Sequence, residues 1–283
     1  MKMILFILIT VVMYTHAASL DEKLAYMDNV KELVLLTGKM RDNIHLSNSG
    51  GYIMSEEIER DQDEVSTSLR SLRHKFHTVD YKIDNDFSTL NLYMQSLNDV
   101  VPDLDALTIF KAYTLLASEM IVLGQKAQKR LFFYESTRNK RISSVMLENI
   151  VPMMEHISLL RGFGSKIAVN SEFEDGERDE LRAYIVKVLD DVDNLALEMG
   201  ALKWEYPALY SVKLERKLIK YRKNVKYYIG HIESKLLETD QVELDYYDFY
   251  MEGTSLIDQT IEFYEINEAI LRDHPEERFI HVR

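Results

Sequence analysis

From Ile58 onward, apolar side chains return at Val65, Leu69, Leu72, Phe76, Val79, Ile83, Phe87, Leu90, Met94, Leu97 and Val101. Steps of three, four or seven keep one face of a helix pointing the same way. The run predicts a single helix, or two nearly collinear ones. Leu181, Ile185, Val188, Val192, Leu195, Met199 and Leu202 repeat the pattern, as do Leu214, Leu218, Tyr221, Val225, Tyr228, Ile232 and Leu236. A last seam carries Tyr247, Tyr250, Thr254, Ile257, Ile261, Tyr264 and Leu271. Seams with a period near ~3.5 residues belong to helices crossing at shallow angles. The expected fold is all-α: an elongated helical bundle, built as two stacked four-helix bundles that share long helices.

The interruptions follow turn chemistry. SNSGGY (47–52) reads as a helix–helix turn, and VVPDLD (100–105) stops a helix at Pro102 and offers Asp103 or Asp105 as the next N-cap. STRNKR (136–141) reads as a polar connector, NSEFEDGE (170–177) as an acidic one, and ETDQVELD (238–245) as the last turn. Pro152 bends its helix, and Pro207 kinks or interrupts another. The result is about six helices, or about eight with the kinks counted, and no strand. Two pseudo-repeated modules are expected, at about 20–101 and 104–283.

Composition sharpens this picture. Only ten glycines and four prolines occur, and 46% of the residues are hydrophobic, which suits a helical core. The formal charge of −13 repels phosphate backbones and argues against nucleic acid as a partner. Cysteine is absent, so disulfides, thiolate metal sites and cysteine nucleophiles are excluded. At the N-terminus, MK precedes the apolar run MILFILITVVMY and the small residues of THAAS. Residues 1–18 therefore read as a signal peptide or an uncleaved anchor, since the run is shorter than a membrane span of ~20 residues. No second apolar run stands out. The expected location is the periplasm, or the inner membrane through that N-terminal segment alone.

One stretch breaks the helical logic: ISLLRGFGSKIAVN, at 157–170. Gly162 and Gly164 each cost about 1 kcal/mol against alanine inside a helix, so something should offset them. Close helix packing around Phe163 is one account. A ligand pocket is the other, with Arg161 presenting a planar donor fork to a carboxylate or nitrate. The two are compatible. LVLLTGKMRDNIHLSNSGG (33–51) echoes the stretch, placing Arg41 where the second copy has Arg161, although Asp42 beside Arg41 is able to neutralise it.

LLTGKMRDNIHLSNSGG, YTLLASEMIVL, SVMLENIVPMMEHISLLRGFGSKIA and DYYDFYMEGTSLIDQTIEFYEI together resemble landmarks of one family. It is the helical extracytoplasmic sensor region of bacterial methyl-accepting chemotaxis receptors, sensor histidine kinases and diguanylate cyclases, similar to nitrate- and nitrite-sensing domains. Met40, Arg41 and Asp42 depart from the His-Arg-Gly usual there. The resemblance implies signal transduction: a small anion or metabolite binds near Arg161, Gly162, Gly164, Arg41 and Asn149, and a helix shift carries the signal. It also implies a homodimer, or a heterodimer with a full-length receptor, since no output domain follows. A structural or scaffolding periplasmic protein without ligand is the alternative.

No catalytic, cofactor or metal constellation emerges. His74, His77 and Asp80 share a helical face, but lysine and arginine surround them, as on a solvated surface. His156 reads as an interfacial histidine, and DYYDFY (245–250) as helix packing. Walker, Gly-x-Ser-x-Gly and His-Glu-x-x-His motifs are missing. The basic stretch KLERKLIKYRKNVKYY (213–228) is expected to pair with acidic faces of neighbouring helices.

Overall fold

A computed structural model describes residues 18–48, 55–76, 81–101, 104–239, 242 and 244–274. The elements are α1 (Leu20–Asn48), α2 (Ser55–Phe76), α3 (Tyr81–Val100), α4 (Ala106–Leu131), α5 (Thr137–Val145), α6 (Val151–Asn170), α7 (Glu177–Glu205), α8 (Lys213–Ile232) and α9 (Tyr246–Asp273). Single π-helical turns, Met146–Ile150 and Glu233–Leu237, follow α5 and α8. The fold is all-α, and no strand occurs among the described residues. Most of the expected N-terminal segment (residues 1–17), most of the SNSGGY turn, and the side chains of His74, His77 and Asp80 lie outside the described residues.

Helices α1 to α4 pack as one group and α6 to α9 as another, and α1 lies against α6 where the two groups meet. Matched contacts show how. His45 of α1 stacks on Phe163 of α6 (centroids 6.1 Å apart), while Gly38 faces Ser158 three residues after Glu155, so the two helices run parallel. Helix α4, which follows the expected module break at Pro102, packs on α1 and α3. It is long and apolar enough to cross a membrane, a run that the sequence reading passed over. It contributes Ile109, Phe110, Leu116 and Met120 to the core, while Leu115 and Val122 on the same helix are exposed.

Local chemistry sets the ends. Asp105 caps α4, its carboxylate accepting from the Thr108 N–H at 2.9 Å. STRNKR is no connector: Ser136 accepts from the Asn139 N–H at 3.1 Å and starts α5 inside that run. Pro152 stands within a continuous helical path, since Ile150 and Val151 both keep right-handed helical dihedrals. It lacks the N–H that would reach the Leu147 carbonyl, which accepts from Gln125 Nε2 at 3.1 Å instead, and the π turn just before it absorbs the change in pitch. Gly176 takes φ +84° ahead of α7, a backbone region that favours glycine. Helices α2 and α3 are not collinear, as the long seam suggested, but pack against each other as a hairpin. Pro207 falls in the turn between α7 and α8.

Helices α1 and α6 are buried almost all round. Tyr26, Met27, Leu33 and Met40 fill α1's core contacts, yet Lys23, Thr37, Arg41, Asp42, Asn43 and His45 are buried on the same helix. Along α6 every residue from Ile157 to Ala168 is buried. Charged groups therefore enter the interior where α1 and α6 meet.

Candidate functional site: a buried four-charge cluster

Arg41 and Asp42 project from α1, and Glu155, Ser158 and Arg161 from α6. Arg41, Asp42 and Glu155 are 0–2% exposed and Arg161 6%. The Arg41 Nη1 donates to Glu155 Oε1, its Nη2 to Ser158 Oγ at 3.1 Å, and its Nε to Asp42 Oδ1 at 3.3 Å. Arg161 grips the same Asp42 from the other side: Nη2 and Nε donate to Oδ2 at 2.8 and 3.2 Å. Its remaining arm reaches α9, where Nη1 donates to Thr254 Oγ1 at 2.9 Å and the guanidinium lies 4.3 Å from the Tyr250 ring centroid. Arg41 sits over Phe110 of α4 at 4.9 Å. One carboxylate thus bridges two arginines, and the cluster ties together α1, α4, α6 and α9.

The glycines make room for it. A Cβ on Gly162 would stand 2.2 Å from Asp42 Oδ1, and one on Gly38 would stand 2.8 Å from Ser158 Oγ and 3.2 Å from Glu155 Oε2. On α9, a Cβ on Gly253 would meet Arg161 Cβ at 2.9 Å. Gly164 serves packing instead, with Phe249 at 2.6 Å from the missing Cβ. Of the expected site residues, Arg41, Arg161 and Gly162 come together. Gly164 borders them, and Asn149 stands apart in the π turn, half-buried.

Burial works against the charge on Arg41 and Arg161, but Glu155 and Asp42 outweigh it, so both guanidinium pKa values rise and both groups stay protonated. Burial pushes the Glu155 carboxyl up, with Arg41 opposing. Its Oε2 has no hydrogen-bond partner. Ion pairs this deep rarely stabilise a fold more than apolar side chains of the same volume, whereas removing one partner costs about 3–5 kcal/mol. The arrangement therefore fixes position. Every donor of Arg161 described above is turned to the protein, so this arginine holds an internal carboxylate where an external ligand had been expected.

Sequence reading missed Glu155, Thr254, Tyr250, Gly38 and Gly253. Asp42 was visible, but as a neutraliser of its neighbour Arg41 and not as the partner of Arg161. His156 is interfacial as expected, with Nδ1 on Asp191 of α7. An open groove of about 600 Å³ lies away from the cluster, between α3 and α4, lined by Leu90, Tyr93, Leu97, Leu116 and Leu123. Asp86, Thr89, Glu119 and Lys126 share that lining.

No family model matches the chain, and no curated protein matches it. Among solved structures, the NasR transcription antiterminator is similar over 96% of this chain and 74% of its own, with a TM-score of 0.60 and 10% identity. That likeness is one of fold alone. It nevertheless overturns the expected function, since this neighbour is a transcription regulator by description and not the extracytoplasmic sensor of a chemotaxis receptor. The chemotaxis and periplasmic-sensor assignments fall with it.

Proposed function

We propose that this chain is a non-catalytic regulatory module of helices, in which the buried cluster is a lock that holds α1 in one position against α6 and α9. The observation that carries this reading is the siting of four charged side chains, all nearly inaccessible, at the meeting of the two helix groups. An interface meant only to be stable is better served by leucine and methionine. Ionic pairs differ from these in being satisfied in one register only: a slide of α1 by one turn would strand Arg41, Asp42, Glu155 and Arg161 together. That gives discrete packings instead of a continuum, as a two-state regulator requires. The fold shared with a transcription antiterminator supports a regulatory role. A partner subunit, a second copy included, reads the change.

Spin labels test this directly, because the chain has no cysteine of its own. Glu32 on α1 and Glu265 on α9 are exposed and take the labels as Glu32→Cys and Glu265→Cys. The otherwise unaltered protein should show one narrow distance distribution. Asp42→Asn, which weakens both arginine contacts with little change in size, should add a second population while the helical circular-dichroism signal persists. A folded Asp42→Asn protein with the distribution unchanged would mean that the cluster is a fixed part of a scaffold.

A further inference from the structure

Helix α8 carries Lys213, Arg216, Lys217, Lys220, Arg222, Lys223 and Lys226 against a single acid, Glu215, in a chain of net charge −13. Its buried residues Leu214, Leu218, Tyr221, Val225 and Tyr228 face α7 and α9, and the opposite side is open. Some of the expected pairing with acidic neighbours is present: Lys217 with Glu262 at 2.7 Å and Arg222 with Asp193 at 2.5 Å. Lys213, Arg216, Lys220, Lys223 and Lys226 have no ion pair among the described residues, and Arg216, Lys220 and Lys223 follow one another at helical spacing along the outer surface.

The same surface is apolar in an unusual way. Arg222–Asp193 and Lys203–Glu215 fix the antiparallel register of α7 and α8. In that register Leu197 stands level with Ile219, and Trp204 level with Val212. These four are 68%, 68%, 84% and 82% exposed. Tyr227 and Val186, also exposed, extend the strip. Isolated exposed apolar residues need no explanation, but a strip of them that includes tryptophan and runs beside a row of cations does. Of the acids on this face, Asp193 and Glu215 are already paired, and Asp190 stands level with Lys226.

We propose that the outer face of the α7–α8 hairpin docks on an anionic lipid surface. Lysine and arginine would meet the headgroup phosphates and carboxylates, while Trp204, Val212, Leu197 and Ile219 enter the boundary between headgroups and acyl chains. Single-stranded RNA satisfies only half of this surface. It offers phosphates to the cations but nothing to branched aliphatic side chains, and the acidic remainder of the molecule repels it. The chain's overall negative charge matters less at a flat membrane, because exposed charges farther than about 8 Å away are screened at physiological salt.

Trp204 is the chain's single tryptophan and so reports on this patch alone. Full-length protein is titrated with vesicles of phosphatidylcholine, and with vesicles that also contain phosphatidylserine, while Trp204 emission is followed. A blue shift is expected with the anionic vesicles only. Each basic side chain near such a surface is worth about a factor of five in partitioning, so Lys220→Glu with Lys223→Glu should weaken binding at least tenfold. Lys126→Glu with Lys111→Glu on α4 changes net charge equally and should leave binding near its original strength. The proposal is overturned by no shift on anionic vesicles, an equal shift on neutral ones, or equal losses in the two double variants. A Trp204 response to single-stranded RNA without one to vesicles also overturns it, as does self-association that buries Trp204 before any lipid is added.

Discussion

Gly162→Ala is the sharpest test of the buried cluster, because two well-known effects oppose each other at one atom. Alanine is the better helix former by about 1 kcal/mol, and in an open helix interior the substitution should stabilise by up to that amount. At Gly162 the new methyl would lie 2.2 Å from Asp42 Oδ1 and 2.6 Å from its Cγ, so the carboxylate must move. It has nowhere to go without releasing Arg161, at 2.8 and 3.2 Å, or Arg41, at 3.3 Å. Stranding a buried charge costs about 3–5 kcal/mol. Set against the helix gain, the net loss is about 2–4 kcal/mol. Urea unfolding followed by circular dichroism measures it as a lower midpoint at constant slope. Gly200→Ala, where nothing lies within 4 Å of the added carbon, supplies the control and should be neutral or stabilising by up to about 1 kcal/mol. In an Asp42→Ala background, Gly162→Ala should lose its cost, because the atom it strikes is gone. A Gly162→Ala protein as stable as the original, or an undiminished cost in that background, refutes the account.

Three further outcomes follow from the same interior. Replacing the whole cluster together (Arg41→Met, Asp42→Leu, Glu155→Leu, Arg161→Met) should leave thermal stability equal or higher, whereas Arg161→Ala alone should lower it by about 3 kcal/mol; a quadruple variant less stable than the single one would show that the ion pairs are net stabilisers. Burial, with Lys166 and Arg41 adding to it, pushes the His45 imidazole down to about 4, below its ordinary 6.5. The stability this neutral histidine allows is complete above pH ~6.5 and is lost as pH falls toward ~4, about 3 kcal/mol in all, so His45→Phe should flatten the acid limb of a stability–pH curve. Burial and Glu268 push the Asp28 carboxyl up from 3.8 to about 6. Its contribution is therefore full below pH ~3.8 and is lost as pH rises through ~6, so Asp28→Asn should gain about 1 kcal/mol at pH 7 after allowance for screening, and nothing below pH 4.

The helices that read clearly from the sequence are those with two different sides. Along α7, Leu181, Ile185, Val188, Val192 and Leu195 are buried at the expected spacing, and along α8 so are Leu214, Leu218 and Tyr221. Helices α1 and α6 gave no such seam, because a helix buried all round has no polar face to set a period. Those two helices carry the cluster, so the part of the chain that matters most was the part periodicity described least. The hairpin of α2 and α3 was lost for a different reason. Residues 77–80 contain neither glycine nor proline, and an unbroken apolar spacing on both sides reads as one continuous face.

At the site itself, local reading reached Arg41, Arg161 and Gly162 but not the partner that Arg161 holds. Two glycines beside an arginine mark a place where something comes close to the helix, and the structure agrees. What comes close is Asp42, 119 residues earlier in the chain, and no window of sequence contains both partners. In the sequence Asp42 stands only as the acid next to Arg41, where it weakens a site for an external anion. Seen across the interface, the same acid is the occupant: its carboxylate supplies what a nitrate or carboxylate ligand would have supplied to the guanidinium fork of Arg161. Asp42 fills that space from within, and Gly162 on the facing helix yields the room for it. Asp42→Gly would open the space and leave Arg41 and Arg161 facing it with Glu155 as the remaining acid of the cluster. With Asp42 in place its carboxylate takes the donors of Arg161 that an external anion would need, and that internal pairing is the ground on which we propose a lock.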